Sequence, residues 1–294
     1  MEFSTSTLRL ALPKGRMQEG VFALLSEAGV RLSVPSRGYR PRISLPETEA
    51  KILKPQNIIE MLATGSRDVG FAGADWVAEL GADLVEVLDT GLDPVRLVAA
   101  VPATLIEREQ RGTKSLPARP MVFASEYVRL TTRWCEQRGC GDRVVRSYGA
   151  TEVFAPEDAD GITDVTATGS TLEANGLVIV DDLLRSSTRL YASPRAWSQP
   201  VLRKRIEDLA VILRSVLEAR RRVMLELNCP AERLSAVCEA LPCMREPTIS
   251  TLHANSGFAV KAAVPREQLP TLIPRLKLAG GTDIVISPLS QVVP

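Results

Sequence analysis

Gly161-Ile-Thr-Asp-Val-Thr-Ala-Thr-Gly-Ser-Thr-Leu172 reads as a strand, a loop of small residues and the start of a helix. Ile162 and Val165 belong to an apolar strand end, and Asp164 sits where that strand gives out. Thr166, Thr168, Ser170 and Thr171 supply hydroxyls around Gly169, a residue that lets backbone N–H groups come close to a ligand. Leu172-Glu173-Ala174 then opens a helix, whose N-terminus favours an anion. A carboxylate beside such a cradle suits a phosphorylated sugar: the acid takes ribose hydroxyls and the loop takes the phosphate. No Lys follows the glycine, so the Gly-Lys-Ser/Thr of ATPase loops is not matched. An ordinary capped strand–helix turn fits the same residues.

Working outward, Leu8-Arg-Leu-Ala-Leu12 alternates and runs into the basic loop Pro13-Lys-Gly-Arg16. Met17, Val21, Leu24, Leu25 and Ala28 then fall at helical spacing, and Gly29 stops the helix. In open α/β sheets ligands sit at this C-terminal end of the strands. A second helix is expected over 55–62 and a short buried strand over 68–72, leading to Gly73-Ala-Asp75. A new block begins at 95–101, with strands over 121–124, 144–148 and 176–180 and a helix over 126–138. A long helical segment, 195–222, has the look of a connector. The last part alternates strand and helix over 223–227, 231–241, 248–252, 257–264, 266–279 and 282–286, the βαββαβ order of the ferredoxin-like pattern.

The 294 residues suffice for two or three domains with real cores. A hydrophobic fraction of 45%, a charged fraction of 24% and a net charge of +1 describe a soluble globular chain. No global field draws it to nucleic acid or membrane. The first residues lack the cationic start and apolar core of a secretion signal, and no apolar run spans a bilayer, so a cytoplasmic protein is expected. Five cysteines without a C-x-x-C spacing read as reduced thiols. The one histidine, His253, leaves no room for a His-rich metal site, and a surface or core role suits it.

Leu12-Pro-Lys-Gly-Arg16, Asp68-Val-Gly-Phe-Ala-Gly-Ala-Asp75 and Asp164-Val-Thr-Ala-Thr-Gly-Ser-Thr-Leu-Glu-Ala-Asn-Gly176 resemble ATP phosphoribosyltransferase, the first enzyme of histidine biosynthesis. The C-terminal block, with Cys229-Pro and Glu246-Pro-Thr-Ile249, looks like the regulatory domain of that family's long form. The resemblance implies a two-lobed catalytic half similar to periplasmic binding proteins, formed by a domain of residues 1–94 plus 181–219 and a second of 95–180. A ferredoxin-like regulatory domain would follow over 220–294. It further implies Mg²⁺, ATP and phosphoribosyl pyrophosphate as cofactor and substrates, dimer-to-hexamer assembly, and histidine and AMP as inhibitors.

The implied reaction is attack by N1 of ATP on C1 of phosphoribosyl pyrophosphate, expelling pyrophosphate through an oxocarbenium-like transition state. It asks the protein for alignment and for neutralised charge on the leaving group. Mg²⁺ would be held largely by phosphate oxygens and water, with at most one protein carboxylate, which fits a chain without a His/Cys metal cluster. Thr166, Ala167, Thr168, Gly169, Ser170 and Thr171 are expected to cradle the 5-phosphate, and Asp164 to hold ribose hydroxyls. Lys14 and Arg16 face pyrophosphate or the ATP phosphates on this reading; alternatively they are surface charges on a turn. Arg40 is the family-based candidate for a further cation at the leaving group, with Arg37 and Arg42 close enough to take its place. Asp75 accepts from the adenine amino group or caps a helix starting at Trp76. Glu152 is left without a role. In the regulatory block Thr248 matches a histidine-contacting position, and Asn228 stands where related chains carry an acid, a function Glu226 can supply instead.

Three other readings compete. A non-enzymatic binder of the same fold would not need the phosphate loop. A purine-salvage phosphoribosyltransferase usually shows paired acids before the loop, where Thr163 stands here. A regulator's effector lobe would come with a DNA-reading helix pair or basic patch, and neither is evident.

Overall fold

The computed structural model describes residues 7–35, 38–109, 116–117, 119–244 and 246–293. They fall into two compact units, residues 1–22 with 31–207 and residues 23–30 with 208–294.

The first unit opens with strand β1 (Leu8–Pro13) and helix α1 (Arg16–Glu27), followed by the short pair β2 (Leu32–Ser33) and β3 (Arg42–Ile43). Then come β4 (Thr48–Leu53), α2 (Pro55–Ala63), β5 (Val69–Gly73), α3 (Ala74–Leu80), β6 (Val85–Pro102) and α4 (Ala103–Glu109). The chain continues through β7 (Met121–Ser125), α5 (Val128–Arg138), β8 (Gly141–Arg146), β9 (Gly161–Thr166), α6 (Ser170–Ala174) and β10 (Leu177–Ala192). One mixed sheet has the order β4-β1-β5-β10-β6-β9-β7-β8. Its flanks are parallel triplets, β4-β1-β5 and β9-β7-β8, and the long antiparallel pair β6 and β10 joins them. Parallel strands are covered on both faces and so read as unbroken apolar runs; every residue of β5 is buried. Ile58, Ile59 and Leu62 of α2 pack on Ala11 and Ala72 of the first triplet and on Tyr191 of β10. In the second, Phe123 meets Trp134 edge to face with ring centres 5.1 Å apart.

Several elements differ from the sequence reading. β10 runs to Ala192 rather than 180, and β6 begins at Val85 rather than 95. Their polar stretches hide the strand period because the pairing is broken by repeated register shifts. β8 begins at Gly141 and ends at Arg146, not at 144 and 148; it is the sheet's outer strand, where polar residues are tolerated. The segment 195–222 is two helices, α7 (Pro194–Trp197) and α8 (Pro200–Arg221). Pro200 cannot continue a helix but suits the first position of a new one.

The second unit contains β11 (Arg222–Cys229), α9 (Leu234–Ala240), β12 (Thr248–Thr251), β13 (Phe258–Pro265), α10 (Leu269–Leu278) and β14 (Thr282–Pro288). The strands form a separate antiparallel sheet, β12-β13-β11-β14. Val223, Leu225, Leu227, Val260, Ala262 and Val264 alternate onto one face and pack with Val237, Leu272 and Leu276 of the helices. No described helix is long and apolar enough to cross a membrane.

Candidate functional site

Strand ends of the large sheet converge on a cavity of about 280 Å³. Its lining includes Lys14 and Arg16 after β1, Asp75 and Trp76 after β5, Glu126 and Tyr127 after β7, and Val165 at the end of β9. Ser186, Ser187 and Thr188 of β10 and Asp93 of β6 complete one wall. Lys14, Arg16 and Asp75, distant in sequence, thus share one pocket, and the residue after Asp164 borders it.

The β5–α3 turn sets Asp75. Gly73 precedes it, and a Cβ there would lie 2.2 Å from the Asp75 carboxylate, so only glycine leaves that side chain its place. Asp75 lies inside the first turn of α3 rather than capping a helix from Trp76. Its carboxylate is buried, 5% exposed, and both oxygens are engaged. The Tyr127 hydroxyl donates to Oδ2 and the Ser186 hydroxyl to Oδ1, each at 2.6 Å. Ser186 Oγ also accepts from the Asp75 N–H at 3.0 Å. Burial, and then the neighbouring Asp75 carboxylate, raise the Tyr127 phenol far above its ordinary value, so it remains a donor. The Tyr127 ring packs on Trp76 with centres 4.7 Å apart, giving the pocket an aromatic wall. Glu79, one turn further along α3, accepts from the N–H groups of Arg129 and Leu130, capping α5 from outside.

The β9–α6 turn is built differently. Gly169, at φ +90°, adopts a conformation that costs a side chain energy. Its N–H donates to Thr166 Oγ1 at 2.8 Å, and Thr168 and Ser170 share a hydroxyl contact at 3.0 Å. Ala167, Thr168, Ser170 and Thr171 are exposed. Asp164 is half-buried; burial first, then the carboxylates of Glu126 and Glu152, raise it to about 6 against the opposing hydrogen bond from the Val165 N–H. Thr163, next to it, faces inward and is fully buried, bonded to Ser125 Oγ at 2.7 Å and to Thr131.

Lys14 Nζ lies 5.0 Å from the Tyr39 ring centre and donates to its hydroxyl at 3.2 Å. Arg40 is exposed on the segment after Tyr39 and does not line the cavity; Arg42 is exposed in β3. Arg37 lies outside the described residues. Among the described residues no group of three or more His, Cys, Asp and Glu side chains is placed to hold a metal ion. Burial, and then the carboxylates of Glu126 and Glu152, raise the cost of ionising Asp164.

In the second unit Thr248, Lys261 and Glu226 stand side by side across β12, β13 and β11, and Lys261 pairs with Glu226 at 2.8 Å. Thr248 lines a cavity of about 450 Å³ with Met224, Glu246 and Lys261. Asn228 does not line it; its amide donates to Asp283 at 3.2 Å. His253 is exposed. The five cysteines are free thiols.

Sequence reasoning missed Tyr127, Ser186 and Asp93. Tyr127 fell in an expected helix start, Ser186 lay beyond the expected end of its strand, and Asp93 lay just before the block expected from 95. The Ser-Ser-Thr run at 186–188 was the one available signal.

Known proteins resemble the chain along nearly its whole length. The family model described as HisG, ATP phosphoribosyltransferase, matches residues 54–215, and that of the HisG C-terminal domain matches residues 219–291. The ATP phosphoribosyltransferases of Pelotomaculum thermopropionicum and Desulforudis audaxviator are each 40% identical over 292 residues, covering 98% of this chain and 99% of theirs. That of Chlorobium phaeovibrioides is 38% identical over 289 residues, 97% of each chain. A chain of the ATP phosphoribosyl transferase (HisG:HisZ) complex from Thermotoga maritima superposes with a TM-score of 0.62 at 27% identity, covering 99% of that chain and 72% of this one. The chain therefore belongs to the ATP phosphoribosyltransferase family, in its long form, and transfers the 5-phosphoribosyl group of phosphoribosyl pyrophosphate to N1 of ATP, the first step of histidine biosynthesis.

Proposed function

We propose that the cavity lined by Lys14, Arg16, Asp75, Trp76 and Tyr127 receives ATP, and that Asp164 and the loop 166–171 hold phosphoribosyl pyrophosphate. The observation that carries this reading is the convergence of Lys14, Arg16 and Asp75 on one pocket whose border, Val165, opens directly into the hydroxyl loop. Adenine stacks on the Trp76–Tyr127 wall. Asp75, steadied by Tyr127 and Ser186, retains lone pairs for the adenine amino group. As N1 bonds to C1, positive charge spreads from N1 toward that amino group, and the fixed carboxylate meets it without reorganising.

On the donor side Thr166, Ala167, Thr168, Gly169, Ser170 and Thr171 take the 5-phosphate with hydroxyls and main-chain N–H groups, and ionised Asp164 accepts from the ribose hydroxyls. Lys14 and Arg16, at the cationic end of the cavity, meet the ATP phosphates or the departing pyrophosphate. Arg40 reaches the same charge from the segment after Tyr39, or yields that task to Arg37 or Arg42. Mg²⁺ is the divalent ion on this reading; bound to the diphosphate, it neutralises leaving-group charge, with Asp164, Glu126 or Glu152 as the protein oxygens at hand.

The catalytic half then comprises a domain of residues 1–94 plus 181–219 and one of 95–180, arranged as in periplasmic binding proteins, a reading supported by the paired parallel triplets. The block 220–294 is ferredoxin-like, supported by its strand order. It binds histidine as feedback inhibitor at Thr248, with the acid supplied by Glu226 in the same row or by Asp283 beside Asn228. AMP competes at the ATP pocket, the enzyme works as a homo-oligomer between dimer and hexamer, and it resides in the cytoplasm. Crystals soaked with phosphoribosyl pyrophosphate test the core of this reading. The 5-phosphate is expected within hydrogen-bond reach of the 168–171 N–H groups; density for it elsewhere, with the loop empty, overturns it.

A further inference from the structure

Asp93 adopts a left-handed backbone, which Asp and Asn enter more readily than other side chains. It lies inside β6 at φ +47°, directly before Pro94. Ser186 pairs with Val95 and Thr188 with Leu92, so Asp93 and Pro94 together face Ser187 alone: a β-bulge. Bulges re-aim side chains, and a non-glycine residue held in the left-handed region persists only where its surroundings impose it, often at a ligand site. Here the re-aimed side chain lines the cavity.

The Asp93 carboxylate is less committed than that of Asp75. Thr188 Oγ1 donates to its Oδ2 at 3.0 Å, and it has no further hydrogen-bond partner among the described residues. Its place along the wall is also defined. Asp75 is bonded to Ser186, Ser187 follows, and Thr188 is bonded to Asp93. A Cβ at Gly20 of α1 would lie 3.7 Å from the Asp93 carboxylate, and Arg16 begins that same helix one turn earlier. Asp93 therefore stands between the aromatic, Asp75 end of the cavity and its cationic end.

We propose that Asp93 is a specificity residue for the acceptor nucleotide, its carboxylate accepting hydrogen bonds from the ribose hydroxyls of ATP. This rests on the reading that the cavity takes ATP. In a nucleoside triphosphate the ribose joins base to phosphates, and Asp93 occupies the corresponding middle of the wall. A carboxylate with spare lone pairs, held by one hydroxyl, is suited to a vicinal diol.

Asp93→Gly and Asp93→Asn test this without threatening the fold, since glycine and asparagine both accept φ +47°; thermal melts verify it. With ATP, Asp93→Gly is expected to raise KM about tenfold, the loss of hydrogen bonds to a charged group, and to leave KM for phosphoribosyl pyrophosphate unchanged. Asp93→Asn, keeping one acceptor oxygen, falls between. The deciding comparison uses 2′-deoxy-ATP and 3′-deoxy-ATP. The analogue lacking the bonded hydroxyl is a poorer acceptor for the unaltered enzyme and suffers little or no further loss in Asp93→Gly. An unchanged KM for ATP, or an equal penalty with ATP and both analogues, overturns the proposal. Trp76→Ala separates this from the underlying reading: if it leaves ATP binding intact, the cavity does not take ATP and both fall. If Trp76→Ala weakens ATP while Asp93→Gly does not, the Asp93 role alone is lost.

Discussion

Asp75 lies in the first turn of α3, after β5, whereas Asp164 lies inside β9, two residues before that strand ends rather than where it gives out. Their surroundings are opposite in kind. Around Asp75, the turn after β5 is fixed from a distance: Tyr127 comes from the far triplet and Ser186 from the antiparallel strand beside it. Around Asp164, the turn after β9 shapes itself, with Gly169 bonded to Thr166, Thr168 bonded to Ser170, and the last two exposed. The Asp75 side is finished before any ligand arrives. At Asp164, crowded by Glu126 and Glu152, ionisation carries a cost in the unliganded protein. Preorganised dipoles on one side and a locally built cradle on the other suit an acceptor that must be aligned and a charged donor that brings its own counter-ion.

The sharpest way to break this contrast is Asp164→Ala. Loss of charge-assisted bonds to the sugar is expected to lower kcat/KM for phosphoribosyl pyrophosphate roughly a hundredfold, with KM for ATP near its original value. Steady-state kinetics in both substrates measures this, and an equal loss for ATP would merge the two regions into one.

A pH series sharpens the same point with an effect of about tenfold. Asp164 is raised to about 6, so its ionised fraction falls about tenfold between pH 7 and pH 5. KM for the donor should rise correspondingly over that window, and Asp164→Asn should flatten the profile. For the unliganded protein the sign runs the other way. A raised carboxylate contributes stability that is fully present below its unfolded pKa and is lost as pH rises through about 6. Denaturant midpoints of the unaltered protein and of Asp164→Asn, compared at pH 5 and pH 7, check it.

The smallest effect belongs to Tyr127→Phe. It removes one donor from a buried carboxylate, with an expected cost of about 1–2 kcal/mol in unfolding free energy. KM for ATP should rise by roughly threefold to tenfold on the same grounds, and KM for the donor should not move. A donor effect as large as the ATP effect would mean that Tyr127 serves both turns.

The hydroxyl loop was legible because its shape depends on neighbours in sequence: Gly169 supplies the left-handed backbone and adjacent threonines and serines supply the bonds. The C-terminal strands and helices were legible for a similar reason, since their apolar residues keep one strict alternation onto a single core. Basic Lys14 and Arg16 could be placed at a strand end but not in a pocket, because nothing near them in the chain fixes what they face.

What the sequence determined by itself was therefore the set of local devices: the loop around Gly169, the strand ends before Lys14 and Asp75, and the alternating C-terminal block. Only the tertiary structure decided that Tyr127 and Ser186 grip Asp75, that Thr163 turns inward to Ser125 and Thr131, and that Asp93 is aimed into the cavity by a bulge. Those contacts join residues 32 to 111 positions apart. The last of these, the aim of Asp93, depends on register between β6 and β10, which side-chain pattern specifies weakly once polar residues and bulges interrupt the two-residue period.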